Sequence, residues 1–201
     1  MKILHLDSSV TGEASITRPL TAQVAEKLLA ANAGATLAYR NLVEAPLQHY
    51  TAVLRLHGAT PEVATAAQKL ELETGEALLA EFFASDVIVI GAPMYNFSVP
   101  SQLKAWVDLI CVAGKTFKYG EAGPEGLCHG KRVVIVSARG GLYGPGSPNA
   151  SRDFQEAYLK AVFGFLGIDA IDVIRAEGVA YGPDARAAAI NAAQDQIAAL
   201  I

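Results

Sequence analysis

Four hydroxyl residues, Ser8, Ser9, Ser15 and Thr17, stand close together near the start of the chain, just before or inside what reads as the first turn of a helix. Hydroxyl donors beside the free N–H groups and positive end of a helix make a cradle for phosphate without any charged side chain. The same residues also serve as ordinary helix caps, and spacing alone does not separate the two roles. A second segment, Ala92-Pro93-Met94-Tyr95-Asn96-Phe97-Ser98-Val99-Pro100, places two aromatics, a thioether and an amide at the exit of an apolar run. Met94 with Tyr95 or Phe97 offers flat apolar contact to a planar heteroaromatic ring, and Asn96 a hydrogen bond to its edge; a packed loop is the plainer reading. The third segment, Ser137-Ala138-Arg139-Gly140-Gly141, sets adjacent glycines after another apolar run. Glycines let a backbone approach a ligand and aim N–H groups at a carbonyl or an anionic ring nitrogen, although a simple turn uses them as well. A phosphate end and a ring end together suit a mononucleotide. The first segment has neither Gly-x-x-x-x-Gly-Lys-Ser/Thr nor Gly-x-Gly-x-x-Gly, its one glycine being Gly12, which argues against triphosphate hydrolysis and a dinucleotide Rossmann site.

These segments need elements to bring them together. Ile3-Leu4-His5-Leu6 reads as a short buried strand ending at Asp7-Ser8-Ser9. A helical pattern follows over 15–31, with Pro19 near its start and Gly34 closing it. A strand is expected over 36–42, a long helix over 61–84, and a strand over 86–92 that is apolar on both faces, as in the middle of a parallel sheet. Next come a helix over 100–113, an excursion over 114–130 and a strand over 132–136. A Gly- and Pro-rich loop over 140–148, a helix over 151–166, a strand over 171–176 and an Ala-rich helix over 184–200 complete the chain. Five strands alternating with five helices predict an α/β fold, a doubly wound five-stranded parallel sheet with helices on both faces. Its ligand belongs beyond the carboxyl ends of the strands, where strand order reverses. No repeat or shift in composition marks a second domain, so 1–201 is expected to form one.

Composition narrows the function classes. With 201 residues, 52% apolar and 18% charged, the chain fills a core of its own. A net charge of −4 with no basic run excludes wholesale nucleic-acid binding. The N-terminal apolar stretch is broken by His5 and Asp7, and the run from Val87 to Pro93 is far too short to span a bilayer, so a cytoplasmic protein is expected. Cys111 and Cys128 read as free thiols, Cys111 as a packing residue with a reactive role left open. His5, His49, His57 and His129 lack ligand spacing, and no metal site is expected. The loop over 43–60, with Tyr50, Arg55 and His57, has the length of a functional loop without a legible role.

Beyond these single features, the stretch from Asp86 to Gln102 containing Met94-Tyr95-Asn96-Phe97, then Gln102-Leu103-Lys104, Gly123-Pro124-Glu125-Gly126-Leu127, Arg139-Gly140-Gly141 and Ala176-Glu177-Gly178-Val179-Ala180-Tyr181-Gly182-Pro183 follow one another in a familiar order. In these motifs the chain resembles the bacterial, flavodoxin-like, FMN-dependent NADH:quinone oxidoreductases and azoreductases. The resemblance implies bound FMN, with Ser9 and then Ser15, Ile16 and Thr17 at its phosphate, Ile16 through backbone alone. It implies that Met94, Tyr95, Asn96 and Phe97 wrap the isoalloxazine ring and that Ala138, Arg139, Gly140 and Gly141 lie at its pyrimidine edge. Ala138 stands where the family pattern has serine, so a hydroxyl contact is lost there while the backbone remains. Tyr119 and Phe163 are implied on the substrate side, in a homodimer with flavin sites at its interface.

The implied reaction is a two-electron ping-pong cycle. NADH, with NADPH left open, delivers a hydride and departs, and a quinone, azo compound or nitroaromatic then takes its place. The cofactor carries the chemistry, so no side chain is assigned as catalytic acid, base or nucleophile. Gly141→Val is expected to block the ring and empty the site. Two rival readings stand beside this one, a flavodoxin-type single-electron carrier and a flavin-free α/β binding module. Against the carrier, the chain is long, carries only −4 and inserts 114–130 where a roof for a substrate pocket would lie.

Overall fold

The computed structural model describes residues 1–55 and 65–200. Its centre is built from runs whose side chains are apolar on both faces. In β3 (Val87–Pro93), Ile88 and Ile90 turn to one face and Val87 and Val89 to the other, and the whole strand is buried. β6 (Arg132–Arg139) does the same with Val133 and Ile135 against Val134 and Val136. Each such Val or Ile is worth roughly 1.5–3 kcal/mol on leaving water, so these runs are stable only when helices cover both faces.

β1 (Lys2–Asp7), β2 (Thr36–Asn41) and β7 (Ala170–Glu177) complete a parallel sheet in the order β2-β1-β3-β6-β7. On one face, Leu20, Val24 and Leu28 of α1 (Thr17–Ala31) and Ala189, Ala193 and Ile197 of α6 (Pro183–Ala198) cover Ile3, Val87 and Val134. On the other lie α3 (Ala66–Ala84), α4 (Ser101–Ile110) and α5 (Glu156–Phe165), whose Phe82, Trp106 and Phe163 pack with Leu4, Ile88 and Ile135. The doubly wound sheet is as expected.

Several boundaries differ from the sequence expectation, each for a local reason. The long helix starts at Ala66 because Thr65 caps it: Thr65 accepts from the Gln68 N–H and the Gln68 side chain accepts from the Thr65 N–H. Its expected first turn, over 61–64, lies outside the described residues, as does His57. The helix expected over 151–166 is split into a 3-10 turn, Ala150–Arg152, and α5, because Asp153 Oδ1 accepts from the N–H groups of Gln155 (3.1 Å) and Glu156 (3.0 Å) and starts the second piece afresh. Within 43–60 a short helix, α2 (Ala52–Arg55), forms.

The excursion over 114–130 folds into an antiparallel hairpin of β4 (Phe117–Gly120) and β5 (Gly123–Gly126). The hairpin docks where Gly126 meets the backbone of Leu166 and Gly167 so closely that a Cβ would lie 2.2 Å from the Leu166 carbonyl carbon. Beside this contact the Cys128 N–H donates to the Leu166 carbonyl at 2.8 Å.

Candidate functional site

From β1 the chain turns to β2 on one side and then, through α3, to β3 on the other. The reversal leaves a crevice beyond the carboxyl ends of β1 and β3, the position where open α/β sheets take ligands. A cleft of about 200 Å³ opens there. Ser9, Ile16, Met94, Tyr95, Ala138 and Gly140 line it, so all three sequence-predicted segments contribute to one wall or another.

The hydroxyl end is built on β1. Asp7, fully buried, ends the strand and accepts from Thr21 Oγ1 (3.0 Å) and the Tyr39 hydroxyl (3.1 Å), which ties the loop to α1 and β2. Ser9 follows, its Oγ 2.9 Å from Thr11 Oγ1 and 3.4 Å from the Tyr95 hydroxyl, which in turn accepts from the Val10 N–H at 3.1 Å. Ser15 Oγ accepts from the Arg18 N–H at 3.2 Å and lies 3.3 Å from Thr17 Oγ1. Both hydroxyls are buried and neither lines the cleft; Ser15 holds the first turn of α1 through Arg18, and Ile16 between them reaches the cleft.

The ring end rests on a two-residue turn after β3. Tyr95 and Ser98 exchange N–H···O bonds of 3.0 Å in both directions, with Asn96 at φ 50° and Phe97 at φ 72° between them. A left-handed conformation costs a non-glycine residue about 1–2 kcal/mol and persists where the surroundings fix it. Here they do: the Phe97 carbonyl accepts from the Phe154 N–H at 3.1 Å, and its ring meets Tyr143 edge-on at 6.2 Å. Asn96 lines a second cleft of about 650 Å³ that shares Tyr95 as a wall.

Arg139, implied with its neighbours at the ring's pyrimidine edge, can meet a ligand there only through its backbone. Its guanidinium is completely buried, donating from Nε to Ser137 Oγ (2.9 Å) and Gln155 Oε1 (3.1 Å), and pairing with Asp153 (3.0 Å), Glu177 (3.3 Å) and Glu156. Gln155 in turn donates to the Ala92 carbonyl, joining the ends of β3 and β6. Beyond Arg139, the carbonyls of Arg139, Gly140 and Gly141 accept from Val179, Ala180 and Gly178. In trans peptides this turns the N–H groups of Gly140 and Gly141 away from the 178–180 loop. A Cβ on Gly141 would come within 3.2 Å of Tyr143 and of the Tyr181 hydroxyl, so Gly141→Val acts by displacing two tyrosine rings.

Phe163 is corrected. It is fully buried in the core below the sheet, on the α5 face shared with Leu159, and has no access to a substrate. Tyr119 is exposed on β4 and lines a separate cleft of about 290 Å³ with Tyr50, Asp108 and Cys111. Pro93, from the second segment, also lines the first cleft, as do residues not anticipated from the sequence: Thr11, Ala14, Val179 and Arg186. Val179 sits inside a motif already singled out, whereas Arg186 comes from α6 and carries no local signal.

Burial pushes the Cys111 thiol up to about 12, with Asp108 adding to it, and the Cys128 thiol up to about 11. Partial burial and the neighbouring Asp7 carboxylate raise the Tyr39 phenol to about 12. Folding thus holds these protons more tightly than the unfolded chain does. Their contribution to stability is whole below the ordinary thiol value of 9.0 and drains away as pH rises toward 11–12. Two results follow: alkylation of the native thiols at pH 8 is slow compared with the unfolded chain, and the urea midpoint falls between pH 8 and pH 10.5. Equal midpoints, or thiols labelled at the unfolded rate, would refute this assignment.

Among the described residues no group of three His, Cys, Asp or Glu is placed to hold a metal ion, and no helix is long and apolar enough to cross a membrane.

A family model described as a flavodoxin-like fold matches residues 1–201. The chain is 52% identical over 202 residues to an FMN-dependent NADH:quinone oxidoreductase of a Bradyrhizobium species, covering 100% of this chain and 99% of that one. It is 53% identical over 197 residues to a protein of the same name from Ralstonia nicotianae, covering 96% and 93%. A crystal structure of an FMN-dependent NADH-azoreductase from Bacillus anthracis in complex with FMN superposes with a TM-score of 0.85 at 26% identity, covering 99% of this chain and 98% of that one. Matched along its whole length and sharing half its residues with these relatives, the chain belongs to the flavodoxin-like-fold family of FMN-dependent NADH:quinone oxidoreductases.

Proposed function

We propose that this chain, as one flavodoxin-like unit over 1–201, is an FMN-dependent NADH:quinone oxidoreductase that also cleaves aromatic azo compounds, with FMN held in the cleft at the β1/β3 switch. The observation that carries the placement is the mixed lining of that cleft. It brings together the hydroxyls of Ser9 and Thr11, the apolar walls of Pro93, Met94, Ala138 and Val179, and the glycine backbone of Gly140. A phosphate, a ribityl chain and a flat ring ask for such a set of partners.

Bound FMN supplies the redox chemistry, accepting a hydride equivalent from NADH and returning two electrons to a quinone or azo acceptor. The chain's own residues position and polarise. Met94 and Tyr95 give the ring an apolar seat, fixed by the Tyr95–Ser98 turn. The N–H groups of Gly140 and Gly141, turned away from the 178–180 loop, would stabilise negative charge at the ring's pyrimidine edge. Arg139 acts from behind, through its carboxylates, as a positioning residue for that loop.

About 200 Å³ is less than the roughly 300–1,000 Å³ of sites that enclose their ligands. A flavin seated there keeps one side uncovered, and exposed Val10, Phe97, Leu142 and Phe154 offer an apolar surface for a cover. A second copy of the chain fits that requirement, giving a cytoplasmic homodimer whose interface completes the slot for quinones, azo compounds and nitroaromatics.

The test is a visible absorption spectrum of protein incubated with FMN, gel-filtered, and titrated anaerobically with NADH and then a quinone. The expected result is retained flavin that bleaches with NADH and recovers its colour with quinone. A colourless eluate would remove the FMN assignment, and bound flavin indifferent to NADH would favour a carrier.

A further inference from the structure

We propose that Arg186 is the cation that binds the flavin's 5′-phosphate and makes this site select FMN over riboflavin; the inference rests on the placement of FMN given above. Arg186 stands in the first turn of α6 and lines the cleft beside the hydroxyl-bearing loop, with Ser9, Thr11, Ala14 and Ile16 in the same lining. Among the described residues its guanidinium makes one hydrogen bond, from Nη2 to the Ala14 carbonyl at 3.3 Å, and no carboxylate pairs with it. Arg139 and Arg175 are spent on Glu156 and its neighbours, Arg132 on Asp172, Arg40 on Glu81, and Arg18 leans toward Asp7 at 3.9 Å. A guanidinium carries five donors in a fixed fork, so most of those on Arg186 are unspent and face a cleft whose other polar groups here are neutral.

A phosphate monoester carries about −1.5 to −2 charge at neutral pH and offers three acceptor oxygens. Hydroxyls and a helix end welcome it, but they also welcome the terminal hydroxyl of riboflavin. Arg186 supplies the charge-assisted, forked contact that only the phosphate can use. Ring and ribityl contacts are common to both flavins, so comparing the two isolates this end of the site.

The experiment is titration of flavin-free protein with FMN and with riboflavin, followed by quenching of flavin fluorescence, for the parent, Arg186→Gln and Arg186→Lys. The parent is expected to prefer FMN. Arg186→Gln is expected to lose about ten- to a hundredfold in FMN affinity and none for riboflavin. Arg186→Lys, which keeps the charge without the fork, falls between them. Salt weakens FMN binding to the parent more than to Arg186→Gln. An unchanged melting temperature of flavin-free Arg186→Gln shows that the loss lies in binding. Arg186→Gln holding FMN as tightly as the parent overturns the proposal, as does an equal loss for both flavins, which would assign Arg186 to bracing Ala14. A parent that binds neither flavin overturns the placement of FMN itself.

Discussion

Arg139→Ala is expected to lower the melting temperature by about 6–20 °C and to release FMN at concentrations that saturate the parent. Removing one partner of a buried ion pair costs about 3–5 kcal/mol, because the opposite charge stays behind unmatched. In a chain of this length each kcal/mol moves the midpoint by roughly 2–4 °C. Three carboxylates lose their common partner here, yet not equally. Glu156 keeps Arg175 at 2.7 Å, while the side chains of Asp153 and Glu177 are 14% and 19% exposed and take up water. The cost therefore lies in the lower half of the range.

Flavin release follows from what those carboxylates hold. Glu177 Oε1 accepts from the N–H groups of Tyr143 (2.7 Å) and Gly144 (2.8 Å), and Asp153 leads into Phe154, whose N–H reaches Phe97. Without Arg139 both ring-end loops lose their common anchor. Arg139→Lys keeps the charge but cannot span three carboxylates, and is expected between the two. Thermal unfolding by circular dichroism with and without FMN reads both effects; an unperturbed midpoint would mean the cluster is dispensable.

The second large effect is expected at Gly126, and it separates from the first. Gly126→Ala puts a Cβ 2.1 Å from the Gly167 nitrogen and 2.2 Å from the Leu166 carbonyl carbon. No rotamer relieves a collision with backbone, so the hairpin has to lift off the end of α5. Overpacking costs about 1–3 kcal/mol, and a backbone collision belongs at the top of that range. A fall of about 6–12 °C in melting temperature follows. FMN affinity of the folded protein is expected to stay at the parent value, since the hairpin carries none of the cleft lining. Concurrent loss of FMN would show that the hairpin and the cleft are mechanically joined.

The contrast between these residues shows what a sequence displays. β3 and β6 are legible because burial on both faces demands an unbroken apolar run, and their loops follow directly. Met94, Tyr95 and Gly140 accordingly line the cleft. The buried role of the Arg139 side chain is not legible, because its carboxylates lie 14 to 38 residues further on. Nothing local distinguishes a loop arginine from one at the end of a buried strand.

Phe163 failed differently. An aromatic four residues after Leu159 marks the inner stripe of α5, and that periodicity was the better guide than family position. The start of α3 was readable in Thr65-x-x-Gln68, a capping box passed over for the earlier Pro61. Arg186 is out of reach of the sequence, because its place beside Ala14 exists only once α6 has packed beside α1.

The strand order carries a consequence for synthesis. Lys2–Asp7 pairs with Thr36–Asn41 and with Val87–Pro93, so the N-terminal strand stands with one open edge until the latter has left the ribosome. Val87–Pro93 then waits, its far edge bare, for Arg132–Arg139. At translation speeds of about 5–20 residues per second that wait lasts on the order of seconds. An apolar parallel strand with an unpaired edge is the kind of segment that mispairs with a neighbour, and slow non-local pairing prolongs the exposure. The run that ends at the cleft is thus also a hazard during birth, greatest where nascent copies lie side by side on one message.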